Sequence, residues 1–307
     1  MNTILSKNPN KVWFKILIIL GIALVITIIY SRINITAYHE GFEQSERFIM
    51  KHGNEIYDDF YVDLYDKIYQ PELQSDFIIE TVIHMTMPSK KSVFLDVGSG
   101  TGDLTNTLQT KEYLVYGIDK SQCMVDYCKN KYPEIPIKCG DVFDAMSYDR
   151  NSFSHILCTN MTIYQLSDKK AFFRNCYYWL KPNGYIILHL VDKSKFDPIL
   201  PSAKPVGMNS LQQYSETRIT NTIIDFVDFK YKASYDFTKS INTVLTETMT
   251  DNLTHNVRQN ELTLYMDNID DILHLAQDNG FIIHGQVNMW DCIGDKNQFI
   301  FILERQL

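Results

Sequence analysis

The residues best placed to do chemistry in this 307-residue chain are three glycines and three acids. The stretch VFLDVGSGTG sets Asp96 two positions ahead of Gly98, with Gly100 and Gly102 following at alternate residues. Lacking a Cβ, glycine lets a turn approach a ligand, and free N–H groups at the start of a following helix face the same way. The spacing is Gly-x-Gly-x-Gly, which differs from the Gly-x-Gly-x-x-Gly of pyrophosphate binders. An acid just before the loop would repel a pyrophosphate and suit a cationic amino-acid moiety. Asp119 ends the next apolar run (YLVYGID), where a carboxylate can accept from two ribose hydroxyls. Asp141 follows the third run (IKCGD), where it can take an adenine amino group with Met124 and Val142 flanking the ring.

Such groups need a frame that brings strand ends together, and the sequence predicts one. Val93–Val97, Tyr113–Ile118, Ile135–Cys139, Phe153–Thr159 and the almost wholly apolar Tyr185–Val191 read as buried strands. Helices are expected over 102–109, over 121–131 (halting before Pro133), and over 167–180, ending at the Lys181-Pro182-Asn183-Gly184 turn. This alternation implies a doubly wound α/β sheet. Residues 196–265 break it: 217–235 and 238–250 are rich in Thr, Ile, Val and Phe and read as antiparallel strands of an inserted cap. A helix over 267–278 and strands over 281–290 and 297–304 complete the chain. Upstream, 36–87 reads as a helical cover in which Tyr57, Tyr61, Tyr65 and Tyr69 share one stripe.

Composition excludes several classes. Lys+Arg 29 against Asp+Glu 37 gives a net charge of −8, so a nucleic-acid partner is not expected. Residues 12–30 (VWFKILIILGIALVITIIY) carry only Lys15 as a charge, with Trp13 and Tyr30 placed like interface aromatics, so a single-pass anchor is expected over 12–31, behind a tail at 1–11, with a cleaved signal peptide and a buried core helix as the alternatives. Lys7, Lys11 and Lys15 favour a cytosolic N-terminus with the main domain on the other side. The six cysteines (123, 128, 139, 158, 176 and 292) show no disulfide spacing and fit a reducing compartment instead, so the side of the membrane is left open. Sequons fall at Asn34, Asn160 and Asn252.

In DVGSGTG, GIDKSQCM, KCGDVFD, FSHILCTNMTIYQL and FFRNCYYWLKPNGYIIL the sequence resembles the class I S-adenosylmethionine-dependent methyltransferases, in their type 11/25-like small-molecule group. The resemblance covers roughly 90–195 well and 267–304 more loosely. It implies a Rossmann-like seven-stranded sheet over 88–307 with the 196–265 insertion as an acceptor lid, and S-adenosyl-L-methionine as cofactor. By that likeness Asp96, Gly98, Gly100 and Gly102 would hold the methionine and sugar portion, and Asp119 the ribose. Lys120, Met124, Asp141 and Val142 would lie at the adenosine end, Asn160 under the sulfonium, and Tyr61, with Tyr57 and Tyr65, over the cofactor. Tyr164, His189 and Asp192 stand as groups that could serve an O or N acceptor, Tyr164 and His189 being the catalytic expectations. Arg258, Glu247 and Tyr265 could meet a polar acceptor or serve lid pairing. No Cys/His metal spacing occurs, so no metal is expected. The implied activity is methyl transfer to a small molecule or lipid. A protein acceptor and a silent cofactor-binding scaffold are the alternatives.

Overall fold

The computed structural model describes residues 13, 16–27, 44, 46–204, 211–238 and 242–307. Residues 46–307 form one compact unit, distinct from residues 1–45. Within the latter, α1 (16–27) is helical and exposed. At 1.5 Å per residue those turns rise about 18 Å, short of a bilayer core of about 30 Å. Among the described residues no helix is long and apolar enough to cross a membrane. The rest of the expected 12–31 anchor, apart from residue 13, lies outside the described residues, as do the 1–11 tail and Asn34.

The main sheet has seven strands in the order β11-β12-β6-β5-β2-β3-β4. They are β2 (Val93–Val97), β3 (Leu114–Asp119), β4 (Ile137–Cys139), β5 (Phe153–Cys158), β6 (Leu180–Val191), β11 (Phe281–Asn288) and β12 (Gln298–Arg305). Strands β2 to β6 run parallel, β12 lies antiparallel beside β6, and β11, antiparallel to β12 at the edge, runs in the same direction as β6. The ladder between β5 and β6 passes from Phe153↔Leu180 to His155↔Tyr185, so residues 181–184 loop out as the expected turn. Asn183 takes φ 58° there, the left-handed region that an Asn-Gly pair supports.

Short polar side chains start three of the helices. Asp58 accepts from Tyr61 N at the head of α2 (Asp59–Tyr69), Ser121 from Met124 N at α5 (Gln122–Lys131), and Asp168 from Ala171 N at α6 (Lys169–Trp179). Ile78, Ile79 and Val82 of α3 (Glu72–Thr86), with Leu104 and Leu108 of α4 (Asp103–Thr110), pack onto Phe94, Val115, Leu157 and Ile187 of the sheet. Phe172, Phe173 and Cys176 of α6 are fully buried, and α6 packs beside α7 (Ile269–Asp278).

The insertion forms a second sheet of five strands, β1-β10-β9-β8-β7, from β7 (Asn221–Asp225), β8 (Phe229–Asp236), β9 (Asn242–Asp251) and β10 (Val257–Tyr265). Its fifth strand corrects the expectation of a wholly helical cover. Residues Phe48–His52 form β1, parallel to β10, before the chain turns into α2. FIMKH has no polar alternation to betray a strand, because Phe48 and Met50 lie on its exposed face and Lys51 on the partly covered one.

Candidate functional site

The glycine turn is shaped by what surrounds it. The N–H groups of Gly98 and Ser99 both donate to Ile118 O, at 2.8 and 3.2 Å, hanging the turn on the end of β3. Gly98 has φ +67°, and a Cβ on it would stand 2.6 Å from Thr162 Cγ2. Gly102, φ +89°, caps α4, where a Cβ would meet Cys128 Sγ at 2.4 Å. Gly100 differs: at φ +52° a Cβ would meet nothing within 4 Å, so this glycine presents an open face to the cavity that it lines.

That cavity encloses about 580 Å³ at the carboxyl ends of the parallel strands. Five acids line it, and three of these, Asp96, Asp119 and Asp141, stand at or next to the ends of different strands. Asp96, the last but one residue of β2, is 3% exposed, and burial raises its pKa well above the carboxylate norm, with the nearby Asp119 adding to the rise. Asp119 ends β3. Its Oδ2 accepts from Gly100 N at 2.9 Å and its Oδ1 from Ser121 N at 2.8 Å, yet burial outweighs these donors and raises its pKa too. Asp141 follows β4, with Oδ1 accepting from Phe143 N and Oδ2 facing Lys120 Nζ, both at 2.9 Å. Burial alone would raise Asp141, but Lys120 and the Phe143 N–H hold it below the ordinary value. The expected Lys120 is therefore spent on Asp141.

Met124, Val142 and Asn160 line the same cavity. Asn160 and Met161 both take positive φ, 48° and 62°, where β5 leaves the sheet. The buried Oδ1 of Asn160 and Oγ of Ser99 have no hydrogen-bond partner among the described residues. A buried unpaired acceptor is costly, and both atoms belong to cavity-lining residues where a ligand could satisfy them. The acids, the open Gly100 and these orphan oxygens together fit a ligand with a cationic end and several donors.

Several expected residues stand elsewhere. Tyr61 does not line the cavity: its hydroxyl is 2.7 Å from both oxygens of Glu247, so the cover presents Tyr57 and Tyr65 instead. The helical stripe placed the tyrosines on one side of α2, but only packing decides which of them meets β9. Tyr164 is fully buried, accepts from Val191 N at 2.9 Å and contacts Val191 O at 3.4 Å, which leaves it a structural role. Asp192 is engaged by Lys195 and by Ser194. His189 is buried in a smaller chamber beside the cavity, with Nε2 2.9 Å from Gln298 Oε1, and desolvation lowers its pKa to about 4. Glu247 and Arg258 serve lid pairing. Glu247 gathers Tyr61, Tyr69, Tyr231 and Asn260, while Arg258 holds Asp58 at 2.9 Å and Ile56 O at 2.9 Å. Tyr265 lines the cavity, and its carbonyl accepts from Lys169 Nζ at 2.7 Å.

A further group was missed from sequence. Asp66 on α2 accepts from Thr101 Oγ1 and from Lys131 Nζ, both at 2.6 Å, and Lys131 also reaches Asp103 at 3.0 Å. This network ties the cover helix to the glycine turn. Asp103, directly after the third glycine, was the visible clue; Asp66 and Lys131 meet only through the fold.

Comparison with known proteins agrees with this geometry. Residues 94–184 match the family described as a methyltransferase domain. Over 104 residues the chain is 27% identical to a ubiquinone biosynthesis O-methyltransferase of Coxiella burnetii (strain Dugway 5J108-111), covering 33% of this chain. The match spans 44% of that relative, less than half its length. Among solved structures, an S-adenosylmethionine-dependent methyltransferase from Clostridium acetobutylicum is similar with a TM-score of 0.60 at 19% identity, covering 80% of this chain and 98% of the other. An amino pentose methyltransferase from Micromonospora echinaspora, solved with SAM bound, gives 0.53 at 16% identity, covering 76% and 90%. At these identities the two structures speak for the fold.

Proposed function

This chain carries the domain of the class I S-adenosylmethionine-dependent methyltransferases, and on that premise we propose that it transfers a methyl group to an oxygen or nitrogen of a small molecule or lipid. The observation that carries the reading is the ring of strand-end acids around an open glycine turn, with Asn160 Oδ1 unpaired at its rim. When bound, S-adenosylmethionine supplies an electrophilic methyl group on a sulfonium and a neutral thioether as leaving group. Asp96 is assigned to the cationic methionine end and Asp119, already anchored by Gly100 and Ser121, to the ribose hydroxyls. Met124, Val142 and Asp141 form the adenine end, with Lys120 orienting Asp141. Asn160 lies at the join between this cavity and the chamber of His189.

The protein's own contribution is to position the reactants and exclude water, because the leaving group needs little further help. Tyr57 and Tyr65 from the cover, with Leu262 and Thr263 from the lid, wall the cavity. The names of the two relatives, one an O-methyltransferase and one acting on an amino pentose, support a small acceptor. The apolar run at 12–30 supports a tether beside a membrane, where a lipid acceptor would be met in two dimensions. Isothermal titration with S-adenosylmethionine and its demethylated product tests the proposal. Saturable binding of both, with label transfer into extracted lipids or metabolites, is expected. Binding of neither would overturn it.

A further inference from the structure

Beside the main cavity lies a second chamber of about 130 Å³. The two share Tyr57, Tyr65, Pro71, Asn160, Gln165 and Leu262 as common wall, so the chamber adjoins the cavity along these residues. Its own lining is mainly apolar and aromatic, with Phe196, Leu200, Tyr235 and Leu264 among it. Its one acid, Asp197, has its charge compensated: Oδ1 accepts from Ile199 N at 3.0 Å, and Oδ2, which makes no hydrogen bond among the described residues, lies 3.2 Å from Lys204 Nζ. No uncompensated carboxylate among the described lining residues is left to hold an ammonium ion.

What the chamber does offer is bare acceptors. His189 Nδ1 and Gln74 Oε1 are buried without a hydrogen-bond partner among the described residues, as is Asn160 Oδ1 at the shared wall. The tautomer of His189 follows from its neighbours. Gln298 Nε2 donates to Asp295 Oδ2 at 2.9 Å, which turns its Oε1 towards His189 Nε2 at 2.9 Å. An amide oxygen can only accept, so Nε2 carries the proton and Nδ1 is a lone pair. Asp295 is itself fixed by Asp197 N at 2.7 Å and Asn297 N at 2.9 Å. The Asp295–Gln298 pair thus holds the imidazole in the form that accepts at Nδ1.

Resting on the methyltransferase reading above, we infer that this chamber receives the methyl acceptor, that the acceptor is an uncharged hydroxyl-bearing ring such as a phenol, and that His189 Nδ1 takes its hydroxyl proton. The acceptor oxygen gives an electron pair to the methyl carbon, the carbon–sulfur pair stays with sulfur, and the O–H proton passes to Nδ1. One positive charge is lost at sulfur and one appears on imidazolium, so the net charge of the enclosed site is unchanged. The proton then leaves to water when the ether departs. Gln298 and Asp295 are positioning residues.

The test uses the full chain with ¹⁵N-labelled histidine, with phenol, catechol and cyclohexylamine as probes. In the free protein His189 is expected as the Nε2–H tautomer. Phenol or catechol should shift its Nδ1 resonance, and cyclohexylamine should not. In turnover with the responding phenol, His189→Ala should lower kcat by about 100-fold and leave the cofactor Kd within about twofold, since His189 lies outside the cofactor cavity. Leu264→Phe, which fills the chamber, should weaken phenol binding by about tenfold with the cofactor Kd again unchanged. A proton on Nδ1 in the free protein, a response to the amine alone, no response to any probe, or an undiminished kcat in His189→Ala would each overturn the inference. The two readings fail separately: loss of cofactor binding sinks the methyltransferase proposal, whereas the Nδ1 response is read without cofactor.

Discussion

The backbone N–H of Gly100 donates to Asp119 Oδ2 at 2.9 Å, so the glycine turn after β2 and the acid at the end of β3 form one unit. Asp119 Oδ1 meanwhile takes the N–H of Ser121 at the start of α5. One carboxylate therefore sets the height of the turn and the start of the next helix, and a ligand that engages it meets both.

Asp96 gives a pH signature. Burial, then the charge of Asp119, raises its pKa, and a cationic ligand binds the ionised form. Cofactor affinity should therefore rise with pH through that raised pKa and level off above it, falling by about tenfold per unit below. In the ligand-free protein the same raised pKa acts the other way: stability is greatest with the carboxyl protonated and declines as pH rises through its folded pKa. Titration calorimetry across pH on wild type and Asp96→Asn should show the dependence in the first and a weak, flatter affinity in the second.

The glycines should separate by function. Gly98→Ala meets Thr162 Cγ2 at 2.6 Å at a positive φ and should lose about 2–3 kcal/mol of stability. Gly100→Ala, with nothing within 4 Å, carries only the conformational cost of about 1 kcal/mol, and its main effect should fall on cofactor affinity. Urea denaturation paired with cofactor titration reads both.

Glu247 staples the lid to the cover. Removing it in Glu247→Ala leaves the hydroxyls of Tyr61, Tyr69 and Tyr231 without their shared acceptor, which should cost about 1–3 kcal/mol for each hydroxyl that finds no other partner. Glu247→Gln keeps one acceptor oxygen and should cost less. Chemical denaturation measures the difference.

Histidine 155 predicts an acid limb. It is stacked on Phe94 at 4.4 Å, its Nε2 is 3.0 Å from Thr86 Oγ1, and desolvation lowers its pKa from 6.5 to about 4. The unfolded chain binds this proton first, so stability is full above pH 6.5 and is lost as pH falls towards 4, by about 3 kcal/mol at most. His189 contributes in the same sense. Asp96 and Asp119 oppose it, so the difference between wild type and His155→Phe isolates the term. From pH 7 to about 4.5 the wild type should lose stability relative to His155→Phe if His155 is the cause.

The sheet was legible because its strands are buried on both faces and announce themselves as apolar runs, and the strand-end acids came with them. Asp96, Asp119 and Asp141 needed only the rule that strand ends gather at one edge. The failures share a different cause. Tyr61 against Tyr57, and Tyr164 against His189, depend on which hydroxyl finds a partner across the fold, on Glu247 or on Val191. The tautomer of His189 depends on Gln298 and Asp295, more than a hundred positions along the chain. β1 has no legible period because Phe48 and Met50 sit on its exposed face and Lys51 on its partly covered one.

The most direct measurement is the S-adenosylmethionine affinity of wild type against Asp119→Ala by isothermal titration. Removing the carboxylate takes away the anchor of Gly100 and the group assigned to the ribose, so a loss on the order of 100-fold is expected, with the fold intact by circular dichroism. An unchanged affinity in a folded Asp119→Ala variant, or no binding by the wild type, would contradict the account.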